Sequence, residues 1–354
     1  MTRSVRLITM FVSALSAALA GVFPAAAADA VSFRDKSITM IIGSETGGGT
    51  DASGRVVAPF LAKYLPGSPS VVVRNMPGAD GMTALNYLIS QTKPDGLTLT
   101  TGSSTQVDPL MYRKANAHFD PSTFAFVGGV GRGGTVLLLN KDAEKRLYDK
   151  SAEPAIMGSN ALPRSGMQVT LWGIEYLGWN AKWVVGYRGT SDVMLALERG
   201  EIDMTSTGTM FQIRKFQDTG AFKVLNQSGS LEGGTLKPRP DFGDAPLFTD
   251  QMKGKIGDPL AEQAFTYWQS INAMDKWLAL IPGTPKEIVA AYREAFEKAA
   301  RDPELLAQGR KISEDFAPMS ADDVALLVKR LADTPNEATE YTKVLMRKQG
   351  LRVE

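Results

Sequence analysis

The chain has 354 residues, 44% of them hydrophobic, with 39 basic and 38 acidic side chains and a formal charge of +1. That near-balance excludes the basic footprint of a nucleic-acid binder. The absence of cysteine excludes disulfides and thiolate chemistry. The length suits about two domains, with a core large enough to need no covalent staple.

Arg3 and Arg6 precede an apolar stretch, Leu7 to Val22, followed by Pro24 and the alanines Ala25 to Ala28. Charge, apolar core and small-residue site in that order predict a secretory signal peptide over 1–28, cleaved after Ala28 or close to it. The apolar part is short for a bilayer span of about 20 residues, and no later stretch is longer. The mature chain is expected to be exported.

The mature sequence opens on an apolar run, Ile38, Met40, Ile41 and Ile42, that enters Gly47-Gly48-Gly49-Thr50-Asp51. This reads as strand, tight loop and helix N-terminus, with Thr50 and Asp51 as capping residues. Such a junction aims backbone N–H groups and the positive end of a helix dipole at one point. Three glycines keep Cβ atoms out of the way, which suits half of a carboxylate clamp. A loop that is glycine-rich only in order to turn satisfies the same residues, since this motif alone is weak.

A helix is expected from about Asp51 to Tyr64, kinked or divided at Pro59. Val71-Val72-Val73 predicts a short buried strand, Met82 to Gln91 a helix, and Leu97 to Thr100 a strand running into the hydroxyl-rich Gly102-Ser103-Ser104-Thr105. The repeating strand–loop–helix unit predicts a parallel sheet, with ligands at the carboxyl ends of its strands. Gly129, Gly131 and Gly134 satisfy G-x-G-x-x-G, but Thr135 to Leu139 reads as a strand where a dinucleotide site needs a helix. A crossing between domains fits better. A second α/β unit follows: strands at Ala155–Ser159 and Lys182–Gly186, the loop Tyr187-Arg188-Gly189-Thr190, a helix capped by Thr190 or Ser191, and a strand over Ile202–Thr207. The remainder reads as mostly helical. Starts are expected at Thr284-Pro285-Lys286-Glu287, a capping box, at Asp302-Pro303 and at Ser320.

The only histidine is His118, in a loop. No H-E-x-x-H, G-x-S-x-G or phosphate-loop signature is present. Neither a metal nor a cofactor is expected.

These landmarks taken together resemble the periplasmic solute-binding proteins of tripartite tricarboxylate transporters, the Bug family. Ile41-Ile42 with Gly47 to Asp51 resembles that family's first strand and glycine-rich loop. Val71 to Ala79 is similar to its N-x-P-G-A loop, and Asp95-Gly96-Leu97-Thr98-Leu99 to its D-G-y-T-L element. Tyr187-Arg188-Gly189-Thr190 is similar to its Y-k-G-s loop, and Ile281-Pro282-Gly283-Thr284-Pro285 to its P-x-G-T-P turn. The resemblance spans nearly the whole mature chain. It implies an α/β, type II periplasmic binding protein fold with a ligand cleft between two domains: domain 1 over 29–137 and 224–354, domain 2 over 138–223. It also implies a monomeric receptor that takes a small organic acid and passes it to the membrane permease subunits, with no enzymatic step.

Carried onto this sequence, the first-domain grip is Thr46, Gly47, Gly48, Thr50 and Asp51, helped by Ser103 and Ser104. The second-domain grip is Ser165, Tyr187, Gly189, Thr190 and Thr207. Asp51 and Thr190 also read simply as helix caps. Arg188 either faces solvent or adds charge to the grip. Ser44 and Thr46 stand where the family has an aromatic residue and a proline. Glu45 sets a negative charge beside the anion site, which disfavours a second carboxylate unless it points away. Two other readings stay open. The same domain suits a sensor docking on a two-component receptor. A hydrolase using Glu45 or Asp51 as base lacks a visible partner for either.

Overall fold

The computed structural model describes residues 31–131, 134–159, 167–188, 190–313 and 316–353. The expected signal peptide lies outside the described residues. In chain order the strands are β1 (Ser37–Ile42), β2 (Ser70–Asn75), β3 (Thr98–Ser103), β4 (Ala125–Gly131), β5 (Val136–Asn140), β6 (Ala155–Ser159) and β7 (Ala181–Val185). They continue with β8 (Met204–Thr207), β9 (Phe222–Gln227), β10 (Ser230–Glu232), β11 (Thr235–Lys237), β12 (Met274–Leu280) and β13 (Ala317–Met319). A six-stranded sheet has the order β13-β4-β12-β3-β1-β2, and a five-stranded sheet the order β7-β6-β8-β5-β9. The fold class is α/β, as expected.

In the first sheet β2, β1 and β3 run parallel, and β12 runs antiparallel to both β3 and β4. Side chains alternate across a strand. Ile41 therefore joins Leu85, Leu88, Trp277, Val324 and Leu327 in one apolar layer. Met40 and Ile42 face the other way, against Gly54 of the helix Gly49–Tyr64. Gly54 is a close-approach glycine: a Cβ there would sit 2.5 Å from Ile42 Cδ1.

The second sheet repeats this logic. Leu137 and Leu139 of β5 pack with Trp172, Trp179, Phe248, Phe265 and Trp268. Val136 and Leu138 pack with Val193, Leu197, Ile213 and Phe216. The helices Pro259–Ala273 and Asn336–Lys348 contribute Ala264, Phe265, Trp268 and Leu345 to the first of these layers. Residues beyond 224 thus do not all pack with the first sheet. The chain passes from β4 in one sheet to β5 in the other, and returns after β9. At the return, Ser228 N–H donates to Thr135 O at 2.9 Å and Thr135 N–H to Ser228 Oγ at 2.8 Å.

Several expectations need correction. Of the two outcomes expected at Pro59, division does not occur: the helix is one element, Gly49–Tyr64. Pro59 and Arg55 are both exposed, so the carbonyl that loses its donor lies on the watered side. β2 is an edge strand with Val72 53% exposed, so it is not a buried run. Thr284 does not cap the helix Lys286–Ala300, because its hydroxyl donates to Ile281 O at 2.9 Å and Pro285 takes the N-cap position. Asp302 and Ser320 do cap, each accepting a backbone N–H. The expectation of a mostly helical remainder missed β12, whose Trp277-Leu278-Ala279-Leu280 run is buried at the centre of the first sheet.

Candidate ligand-binding site

The glycine loop is held by a carboxylate. Asp51, 1% exposed, accepts from Gly47 N–H at 2.8 Å, Arg55 Nε at 2.9 Å and Asn75 Nδ2 at 2.8 Å. Asn75 also donates to Ser44 O at 3.0 Å and accepts from Arg55 Nη2 at 2.8 Å. Burial pushes the Asp51 carboxyl up, but Arg55, the Gly47 N–H and Asn75 outweigh it and hold the group below its ordinary value. Asp51 is therefore not the N-cap. Gly48 is, with no side-chain cap bond, and the helix begins at Gly49. Asp51 reaches back from the third helical position, in the manner of the acid in a capping box.

This arrangement sorts the expected first-domain grip. Gly47 takes φ +84°, where a side chain is strained, and its N–H is spent on Asp51. The Gly48 N–H donates to Glu45 O at 3.2 Å. Thr46 is exposed and Thr50 half-buried. The N–H groups an α-helix leaves without intrahelical partners are those of Gly49, Thr50 and Asp51. A Cβ on Gly49 would meet nothing within 4 Å, so this helix end stands open. Glu45 is exposed.

That opening belongs to a cleft of about 550 Å³ lined by Gly49 and Ser53, Val130 and Gly131, Gly134 and Thr135, Gly208 and Thr209, Asp275 and Lys276, with Ile312, Ser313 and Phe316 closing one side. The sheet register explains why these residues meet. Lys276 pairs with Ser103 and Met274 with Gly131, so the start of antiparallel β12 lies at the carboxyl ends of β3 and β4. In the second sheet Val136, at the start of β5, pairs with Thr207 at the carboxyl end of β8. Both sheets thus turn a carboxyl edge toward the cleft, the position where open α/β sheets bind ligands.

Lys276 is the residue the sequence reading missed. Its side chain is buried to 8% exposure and its Nζ donates to Asp275 Oδ1 at 2.7 Å. An Asp-Lys pair inside an otherwise apolar strand, Met274-Asp275-Lys276-Trp277, was the signal available. It went unused because the segment was not recognised as a strand.

The remaining expected residues divide. Ser103 Oγ donates to Gln106 Oε1 at 3.0 Å, and Gln106 donates on to Asp80 O at 2.6 Å. Ser104 is buried. Neither serine lines the cleft as Gly131 and Lys276 do. Thr207 is buried and spends its hydroxyl on Gln212 Oε1 at 2.6 Å, while accepting from Thr209 N–H at 3.1 Å. That turn presents Gly208 and Thr209 to the cleft. Tyr187 packs beside Val193 and Leu197, burial raising its phenol pKa, and Thr190 is the exposed first residue of the helix Thr190–Glu198. Ser165 and Gly189 lie outside the described residues. Arg188 is 92% exposed and pairs with Asp192 at 2.9 Å. His118 is exposed, its backbone N–H held by Asn86. Among the described residues no group of three or more His, Asp or Glu could hold a metal ion.

No family model matches the chain. A UPF0065 protein of Bordetella pertussis is 28% identical over 301 residues, covering 81% of this chain and 83% of that one. A TctC solute-binding protein from Polaromonas, solved without ligand, superposes with a TM-score of 0.64 at 18% identity, covering 90% of this chain and 100% of that one. The chain has the fold of a TctC solute-binding protein. An R. palustris protein solved with adipate superposes with a TM-score of 0.50 at 20% identity, over 89% of this chain and 97% of that one. The resemblance read from the five sequence motifs is borne out. No helix among the described residues is long and apolar enough to cross a membrane.

Proposed function

We propose that this chain is an extracytoplasmic receptor that captures a small organic acid in the cleft between its two sheets and delivers it to a tripartite tricarboxylate-type permease. The two sheets with their helices are the lobes, the paired strand ends at Thr135 and Ser228 are the hinge, and the chain is exported to the periplasm as a monomer behind the signal peptide 1–28. The observation that carries this reading is Lys276. A buried ammonium at the carboxyl edge of the first sheet, beside an open helix N-terminus, suits one negatively charged group.

In this reading the first-lobe grip is the Gly49 and Thr50 N–H groups, Ser53 and Lys276. The second-lobe grip is Thr135, Gly208 and Thr209, joined on closure by Tyr187 and Thr190. Thr46, Gly47, Gly48 and Asp51 shape the loop from behind, and Ser103, Ser104 and Thr207 support the floor. Ligand binds the closed form better than the open one and draws the lobes together by that difference.

Thermal melting against a panel of mono-, di- and tricarboxylates tests the proposal. At least one acid is expected to raise the melting temperature, because a ligand that binds only the folded chain stabilises it by mass action. Lys276→Met is expected to fold and to lose that rise. No rise with any acid, on protein refolded to strip carried-over ligand, contradicts the proposal.

A further inference from the structure

A second opening of about 420 Å³ is lined by Met210, Arg214, Arg239, Asp241 and Arg310. It adjoins the cleft at three points. Thr209 of the cleft is followed by Met210, and Arg310 stands two residues before Ile312. A Cβ on Gly134 would lie 3.6 Å from Arg239 Cδ. The arginines come from different parts of the fold. Arg214 lies on the helix Met210–Asp218 that follows β8 of the second sheet. Arg310 lies on the helix Pro303–Ile312, which packs against the helix Gly49–Tyr64 beside the first sheet. Arg239 Nη2 donates to Asp241 Oδ2 at 2.8 Å, and its guanidinium stacks over Phe242 at 4.9 Å.

Among the described residues charge is not balanced there. Asp241 answers Arg239, while Arg214 and Arg310 have no acidic partner among the described residues. Like charges from two lobes, set around one opening, repel unless an anion lies between them. Glu45 is exposed and lines neither opening, so the negative charge expected to oppose a second carboxylate is out of the way.

We propose that this arginine pocket is a second anion subsite of the cleft, holding the far anionic group of a two-headed organic acid and bridging Arg214 of one lobe to Arg310 of the other. The inference rests on the receptor reading and goes further. Lys276 and the helix end take one anionic group, the arginines take the other, and the span between them selects the length of the ligand. Guanidinium groups suit this role because they pair with planar carboxylates through two donors. The second group also makes closure an electrostatic latch, weakened by salt.

Isothermal titration of the mature chain with matched straight-chain diacids and monoacids tests it, adipate against hexanoate and succinate against butyrate among them. The expected result is a diacid that binds at least about tenfold tighter than its matched monoacid, with that preference abolished in the Arg214→Gln/Arg310→Gln double variant and monoacid affinity changed by no more than about twofold. Both arginines are exposed, so the variant is expected to melt like the parent. Equal binding of diacid and monoacid overturns the subsite and leaves the receptor reading intact. So does a diacid preference that survives the double variant. Binding of neither kind of acid overturns both.

Discussion

At the scale of single residues, the clearest lesson is Asp51. Its type and place beside a glycine loop made it a ligand candidate, yet three donors already occupy it. Its task is to fix the loop so that the helix end stays open. Asp51→Ala leaves the Gly47 N–H and Asn75 without their acceptor and is expected to destabilise the fold by about 1–3 kcal/mol, read as a lower urea midpoint. Gly49→Leu is the complementary experiment. A Cβ there meets no protein atom within 4 Å, so the melting temperature is expected to hold while acid binding weakens by about tenfold or more. Unchanged affinity in that variant shows that the helix end does not face the ligand. Asp302 supplies a pH prediction. Lys63, the Glu304 N–H and Tyr64 hold its carboxyl at about 2, below the value of about 4 for an unfolded chain. A depressed carboxylate stabilises the fold fully above its unfolded pKa and ceases to as pH falls through its folded one. Urea midpoints of Asp302→Asn are therefore expected to lie below those of the parent at neutral pH and to converge on them between about pH 4 and pH 2. Residue identity in the sequence made Asp51, Asp302 and Ser320 visible as helix-start acids and hydroxyls. It did not reveal which partners would take their oxygens, because Asn75 and Lys63 come from other elements.

At the scale of elements, local pattern and tertiary context share the result. The apolar run Ile38–Ile42, the turn glycines and the helical spacing of Leu85 and Leu88 all specify their elements locally, and β1 and the helix Met82–Gln91 stand where the sequence put them. β12 was harder, since a short apolar run adjoining a helix is ambiguous between the end of that helix and a buried strand. Its pairing with both β3 and β4 decides the matter, and no local signal encodes that pairing. Trp277 anchors it. The indole is fully buried, packs edge-on to Phe126 at 5.8 Å and donates from Nε1 to Ser103 O at 2.8 Å. Trp277→Ala is expected to cost about 3–5 kcal/mol in chemical denaturation. It should weaken acid binding as well, because it loosens the strand that carries Lys276. Pro59 makes the opposite case. Pro59→Ala returns a donor to the exposed Arg55 carbonyl and is expected to raise stability by about 1–3 kcal/mol, a little of the gain being offset by the freer unfolded chain. A loss of stability in that variant shows that the proline is matched to its helix in a way the exposed carbonyl does not reveal.

At the scale of the whole molecule, two carboxyl edges facing one cleft follow from how the chain crosses. β4 ends in the first sheet, β5 begins in the second, and the return after β9 is tied to the outgoing strand by the paired bonds between Thr135 and Ser228. The order of strand–loop–helix units made the α/β class legible, and the motifs in sequence order made the binding-protein fold legible. The cleft lining was less so, because it gathers residues from distant segments: the Gly49 region carried a ligand-binding motif, while Gly131 and Gly134 read only as a crossing between domains. If the crossings act as a hinge, small-angle scattering with a stabilising acid is expected to show a smaller radius of gyration than without it; an unchanged radius contradicts closure. The central claim is that the open helix end and Lys276 together receive a negatively charged group. A crystal structure of the mature chain with the acid that most raises its melting temperature tests that claim most directly. The account predicts a carboxylate within hydrogen-bond distance of the Gly49 or Thr50 N–H and of Lys276 Nζ, with Thr209 or Thr135 opposite. An acid bound elsewhere, with Lys276 still paired only to Asp275, contradicts it.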